Sequence, residues 1–320
     1  MVEETGRTPA DVTVMGVGDQ GVWALDDLLD DGISWVDYVS LHIEERPLRS
    51  KRVPTRLFRR GEWRSAMEIW ASPLSGDEKE ERIKSCPNVA QLERYTTENR
   101  LWNEFAFVFA DLGDGEMAEV LGGVTGCGGA FSEVWEAFLV AALPQPAERE
   151  QEGIMPLVFD LYRGERAYPA IVMEMAPGAA SDRRAAKRAM ARRQSLFVRD
   201  VLRGIEDAAL DWREFQAFFR QTGVWKAWSA EGDTFESALR ESIAALSPGG
   251  VLSAASKVFL LATGSEAALT LPKVTAGMTL LSETLGGEAE ILMAERSEDG
   301  FGDGVRVHLA AHWHDSPWSK

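Results

Sequence analysis

Cysteine is nearly missing from this sequence: Cys86 and Cys127 are the only two, and no C-x-x-C pair occurs. That excludes a disulfide-stapled secreted scaffold and argues against a structural zinc site. It suits a reducing compartment, so a cytoplasmic location is expected. Long apolar runs are missing as well. None approaches the roughly 20 residues that cross a bilayer, and the opening "MVEETGRTPADV" lacks the basic-then-apolar pattern of a signal peptide. The third deficit is positive charge. With 34 Lys and Arg against 51 Asp and Glu, the formal net charge is −17, which makes nucleic acid and anionic membrane surfaces poor partners. The 320 residues suffice for two domains, each with its own core.

What is present begins with "DVTVMGVGDQGVWALDDLLDDG". Val12, Val14, Met15 and Val17 read as a short buried strand, followed by Gly16, Gly18 and Gly21 and an amphipathic helix. Helical spacing turns Val22, Leu25, Leu28 and Leu29 inward and Asp26, Asp27, Asp30 and Asp31 to water. Gly32 ends the helix, and "WVDYVSLHI" follows as a second strand. Strand, glycine loop, helix, strand is a βαβ opening and implies a parallel sheet.

Farther along, "RSKRVPTRLFRRGEWR" is a basic patch in an acidic chain, expected to form a solvated loop and helix face. "EFAFVFADL" reads as strand and "FSEVWEAFLVAAL" as helix, with the glycine-rich "LGGVTGCGGA" between them. "IMPLVFDLYR" and "YPAIVMEMA" read as strands too close together for a parallel crossover. One long helix is expected from Asp182 to about Ala208, its first half carrying Arg183, Arg184, Lys187, Arg188, Arg192 and Arg193. That basic half either meets an acidic partner or is simply solvated. After it, "TFESALRESIAAL" reads as helix, "SKVFLLATG" as strand and "TLPKVTAGMTLLSETLGG" as helix. Strands "EAEILMAERS" and "VRVHLAAHW" then join through the turn "EDGFGDG".

Gly16-Val-Gly18-Asp19-Gln20-Gly21 matches G-x-G-x-x-G, where bare backbone and a helix N-terminus can approach a pyrophosphate. Glu44 or Glu45 stands where a ribose-binding acid would. The motif alone is weak, because tight strand-to-helix turns also collect glycines. A second glycine-rich loop is not needed by a dinucleotide-dependent oxidoreductase, which is therefore the less favoured alternative.

Taken in order, three separated motifs resemble the FtsZ branch of the tubulin superfamily. They are "GVGDQGVWA", then Gly122, Gly123, Val124, Thr125, Gly126, Cys127 and Gly128, then "EDGFGDGVRVHLAA". The resemblance covers about residues 11–48, 105–143 and 198–311. It implies an α/β protein of tubulin/FtsZ-like fold, with an N-terminal mainly parallel sheet bearing glycine-rich nucleotide loops. A long connecting helix and a smaller C-terminal α+β domain complete it. The expected division is a GTPase-like domain at 1–181, connecting helix and acidic loop at 182–222, and the α+β domain at 223–320.

The resemblance further implies a GTP or GDP site formed by Gly16, Gly18, Asp19, Gln20, Gly21, Glu44, Gly122, Gly123, Thr125, Gly126, Cys127 and Gly128. Mg would accompany the nucleotide only if it binds. The family's N-x-D-x-x-D loop, which positions water on a neighbour's nucleotide, falls on Ala209, Asp211 and Glu214. Two carboxylates at that spacing suit orienting water and equally suit a helix start.

Several departures point to weakened or lost GTP binding. Asp19, Gln20 and Val22 replace glycines, Trp23 replaces an Asn, and His42, Ile43 and Glu44 replace N-T-D. A carboxylate at position 19 repels phosphate unless a cation intervenes. The expected function is a divergent FtsZ-like assembly protein, a degenerate GTPase if active, associating head to tail with itself or with a conventional FtsZ. The alternative is a working GTPase filament. No linker and apolar tail follow "HWHDSPWSK", so no direct membrane anchor is expected. His308, His312 and His314 share one strand face, either as metal ligands or as surface residues. Trp212, Trp225 and Trp228 serve either an interface or the core.

Overall fold

The computed structural model describes residues 12–43, 50–53, 55–58, 78, 81, 105–114, 136–143, 170–174, 183–220, 224–246, 251–287, 289–299 and 301–314. The chain divides into two compact units, Met1–Leu157 with Met175–Ser195 and Val158–Glu174 with Leu196–Lys320. Among the described residues no helix is long and apolar enough to cross a membrane.

In the first unit lie β1 (Val12–Val17), α1 (Gly18–Asp30), β2 (Asp37–Ile43), β3 (Thr55–Phe58), β4 (Phe105–Asp111) and β5 (Glu136–Leu143). The strands run in the order β3-β2-β1-β4-β5, and each described pairing is parallel. Parallel strands are covered on both faces, which is why β1 and β4 read as unbroken apolar runs and are buried throughout. Phe105, Phe107 and Phe138 pack edge to face between β4 and β5.

Two expectations fail here. The helix expected over "FSEVWEAFLVAAL" is instead β5 from Glu136 to Leu143, in register with β4 through Phe107 and Phe138. Six consecutive apolar residues, Phe138 to Leu143, are too few to reveal a period, and all are buried, as in a central strand. The basic stretch expected as solvated loop and helix face contains β3, paired to β2 with Ser40 opposite Thr55.

The long helix is α2 (Arg183–Glu206), whose residues up to Ser195 belong to the first unit. The second unit takes the rest of α2 with β6 (Ala170–Glu174), α3 (Trp212–Phe219), β7 (Val224–Gly232), α4 (Phe235–Leu246), β8 (Lys257–Gly264), α5 (Leu271–Leu285), β9 (Glu290–Ser297) and β10 (Val305–His312). Its strand order is β6-β7-β10-β8-β9. β10 runs antiparallel to both neighbours, while β6 with β7 and β8 with β9 are parallel. The turn "EDGFGDG" therefore joins strands that are not adjacent, because β8 lies between them. The strand reading of "IMPLVFDLYR" lies outside the described residues.

Alternation sorts the second unit's side chains. Val305, Val307 and Leu309 join Val258, Leu260 and Ala262 against α4 and α5. The opposite face takes α3 and the end of α2, where Phe215 and Phe219 meet Phe259 and Trp225 at ring centroids 4.4–5.6 Å apart. Trp225 is thus a core residue.

Candidate functional site

The first glycine loop is a tight junction between β1 and α1. Gly18 has φ +69°, a left-handed conformation that favours glycine. Gly16 and Gly21 serve packing: a Cβ on Gly21 would lie 2.7 Å from the Phe109 carbonyl oxygen, and one on Gly16 would lie 2.5 Å from the Gly21 oxygen. Each motif glycine is thus accounted for by the junction itself, with or without a ligand.

Asp19 stands in the first turn of α1, and His42 at the end of β2 reaches it with Nε2 2.6 Å from its carboxylate oxygen. His42 is fully buried, while the Asp19 side chain is 43% exposed. A negative side chain therefore already stands at the positive end of this helix. Bringing a phosphate charge within ~4 Å of a carboxylate costs about 4 kcal/mol at an effective dielectric of 20. A helix end contributes about 0.3–1 kcal/mol at an exposed site and up to about 2 kcal/mol where partly buried. The carboxylate outweighs the dipole.

Gln20, also in that turn, is buried. Its amide donates to Gln194 of α2, whose own amide donates to the Ala110 and Val140 carbonyls at 3.1 and 2.7 Å. Gln20 thus braces α1 to the sheet. Its Oε1 has no hydrogen-bond partner among the described residues.

The basic half of α2 meets acids of the same unit. Arg188 reaches Asp27 at 2.5 Å, Arg192 reaches Asp31 at 2.8 Å and Lys187 reaches Asp111 at 2.6 Å. Arg184 and Arg188 also lie over the Trp23 ring, 5.8 and 5.9 Å from its centroid. Asp27, expected to face water, is buried beneath Arg188. Burial pushes its carboxyl above the ordinary carboxylate value, against the pull of Arg188 and Arg192.

Asp211 and Glu214 lie in the second unit at the start of α3. Asp211 is the N-cap, its carboxylate accepting the Glu214 backbone N–H at 2.9 Å, and both residues are exposed. The loop before them is fixed. Ala209 and Leu210 donate to the Gly204 carbonyl, Asp207 pairs with Arg296 at 2.7 Å, and Ala208 is held at φ +56°. Trp212 stacks on Phe215.

Glu44, Gly122, Gly123, Thr125, Gly126, Cys127 and Gly128 lie outside the described residues. The reading of the strand histidines as surface residues fails for His308 and His312, which are buried under α2 and α3. His308 is bound to Asp200 and Ser229, and His312 to Ser256. Among the described residues no group of three or more His, Cys, Asp or Glu could hold a metal ion. Sequence reading passed over Gln194 and Asp200. Their only signal was polarity on the buried face of an amphipathic helix.

A five-stranded parallel sheet, a long helix and a mixed sheet flanked by helices define the class: the chain has the tubulin/FtsZ fold. It is similar to the empty FtsZ dimer of M. jannaschii, at 17% identity and TM-score 0.69 over 96% of this chain and 89% of that one. It is also similar to CetZ2 from Haloferax volcanii in a GTPγS-bound protofilament, at 16% identity and TM-score 0.64 over 95% and 93% of the two chains. TubZ from Bacillus thuringiensis serovar israelensis, in GDP-form protofilaments, gives 12% identity and TM-score 0.65 over 95% and 87%. No protein-family model matches the chain, and no curated protein matches it.

Proposed function

We propose that this chain is a divergent FtsZ-like cytoskeletal protein in which GTP binding is weakened or lost and head-to-tail self-association is retained. The observation that carries the reading is Asp19, held by buried His42 in the first turn of α1, in a loop whose glycines are already used by packing. Three further features support it. Trp23 stands where the resembled family has Asn, and it is covered by Arg184 and Arg188. Lys187, Arg188 and Arg192 of α2, which could otherwise offer a phosphate counter-charge, are paired with Asp111, Asp27 and Asp31. The similar solved structures include a dimer and protofilaments.

In this reading Asp211 and Glu214 lie on the exposed face that meets the next copy, and a heterologous contact of that kind propagates rather than closes. Any residual hydrolysis would depend on Asp211 more than on the longer Glu214. Sedimentation of the full chain at low salt, with and without Mg-GTP and with and without a conventional FtsZ, tests the proposal. Assembly that is indifferent to GTP and weakens with salt is expected. A strict monomer at high concentration in each arm overturns self-association, and strictly GTP-dependent assembly favours the working GTPase.

A further inference from the structure

Asp200 of α2 is fully buried, and it is the hub of a polar cluster lying wholly within the second unit. Its Oδ1 accepts from Arg199 Nε at 2.7 Å, and its Oδ2 accepts from Arg306 Nη1 at 3.0 Å and His308 Nε2 at 2.8 Å. On the other side of the ring, His308 Nδ1 is 2.6 Å from Ser229 Oγ. A carboxylate can only accept, so the proton on the neutral ring sits on Nε2, and Ser229 donates to Nδ1. His308 and Asp200 are 0% exposed, and the Phe197 ring closes edge-on over the imidazole at 5.5 Å. The relay is sealed from substrate, which rules out hydrolytic work by its serine.

Its charge balance is what sets it apart. In the buried centre, among the described residues, one carboxylate faces two guanidiniums, Arg199 and Arg306, with 12% and 9% side-chain exposure. The compensating acids stand farther out: Glu231 on Arg306 is 61% exposed, and Glu298 on Arg199 and Arg296 is 29% exposed. Arg296 passes the chain of pairs on to Asp207 in the loop before Asp211. On β8, Leu261 stands opposite His308, with Thr263 and Phe259 opposite its neighbours Arg306 and Ala310. A proton added at Nδ1 would put a third cation beside a single buried carboxylate and force the Ser229 hydroxyl hydrogen to turn away. Burial accordingly lowers the His308 pKa, with Arg306 and Arg199 adding to the effect and Asp200 opposing it.

We propose that the Ser229–His308–Asp200 relay is a proton-sensitive latch that keeps the C-terminal half of α2, and the acidic loop after it, seated on β7 and β10. Protonation becomes possible only when α2 lifts and water reaches the ring. A buried histidine kept neutral stabilises the seated state fully above the ordinary histidine value of about 6.5, and that stability is lost as pH falls below it. The limiting dependence is about tenfold in the opening equilibrium per pH unit. The ordinary carboxyl values, about 3.9 for Asp and 4.3 for Glu, lie below this window, and the ordinary histidine value lies within it. The chain has four histidines, and replacing one of them isolates its share.

Hydrogen exchange of the full-length protein, corrected for the intrinsic pH dependence of exchange, tests the latch between pH 7.5 and 5.5. In the wild type, opening of segment 196–210 should rise several-fold to tenfold per unit below pH 6.5, while β4 stays flat. His308→Gln should abolish the rise. If that variant does not fold, Ser229→Ala serves: it keeps the bond to Asp200 but leaves Nδ1 without its donor, so opening of the segment should increase at every pH while the rise still begins near pH 6.5. A flat wild-type segment, an undiminished slope in His308→Gln, or opening in Ser229→Ala no greater than in the wild type would each overturn the proposal.

Discussion

The two units each contain a buried histidine bound to an aspartate, and the pairs differ in what surrounds them. His42 meets Asp19 at 2.6 Å, but the Asp19 side chain is 43% exposed at an open helix end. His308 meets Asp200 at 2.8 Å with both side chains sealed, two arginines on the same carboxylate and a serine behind the ring. The same chemistry therefore does two jobs. Near water, Asp19 sets the charge of a surface that a ligand would have to approach. In the core, Asp200 is the buried carboxylate that Arg199 and Arg306 share.

The largest effect that would sharpen this contrast is on stability. Asp200→Ala takes from buried Arg199 and Arg306 the carboxylate they share, and about 3–5 kcal/mol should be lost. Asp19→Ala, at the exposed pair, should change stability by no more than about 1 kcal/mol. Urea unfolding of both variants measures the difference, and equal losses would erase the distinction. Gly21→Ala comes next. Its methyl would meet the Phe109 oxygen and the Gly16 backbone, so α1 must move, at about 1–3 kcal/mol. An unaffected Gly21→Ala would mean that this glycine is kept for a ligand rather than for packing. The smallest expected effect has the opposite sign. Ala208 is held at φ +56°, and Ala208→Gly should relieve that strain for a net gain of about 0.5 kcal/mol in the same titration.

The fold was largely legible, and particular residues show why. Val12–Val17 followed by Gly16, Gly18 and Gly21 could only be a strand turning sharply into a helix, and the order of three glycine- and aspartate-rich motifs pointed to the architecture. β5 was misread because six consecutive apolar residues, Phe138 to Leu143, all buried, carry no periodicity to distinguish a strand from a helix. Even spacing placed His308 and His312 on one face correctly. It carried no information about what covers that face, which depends on α2 and α3, some 100 residues earlier. The candidate site was legible in its departures. The substitutions at positions 19 and 42 were each visible, but their bond to one another was not, because 23 residues separate them and only the pairing of β1 with β2 brings them together. Glycines, conversely, announce a close approach without saying whether the neighbour is a phosphate or, as at Gly21, the chain's own carbonyl.

Calorimetry of Mg-GTP added to the full-length protein, beside an Asp19→Gly variant, tests the central claim most directly. The account predicts no measurable binding by the wild type at tens of micromolar protein, and tighter binding once the carboxylate is removed. Low-micromolar affinity in the wild type, a binding free energy of about −8 kcal/mol, would contradict it.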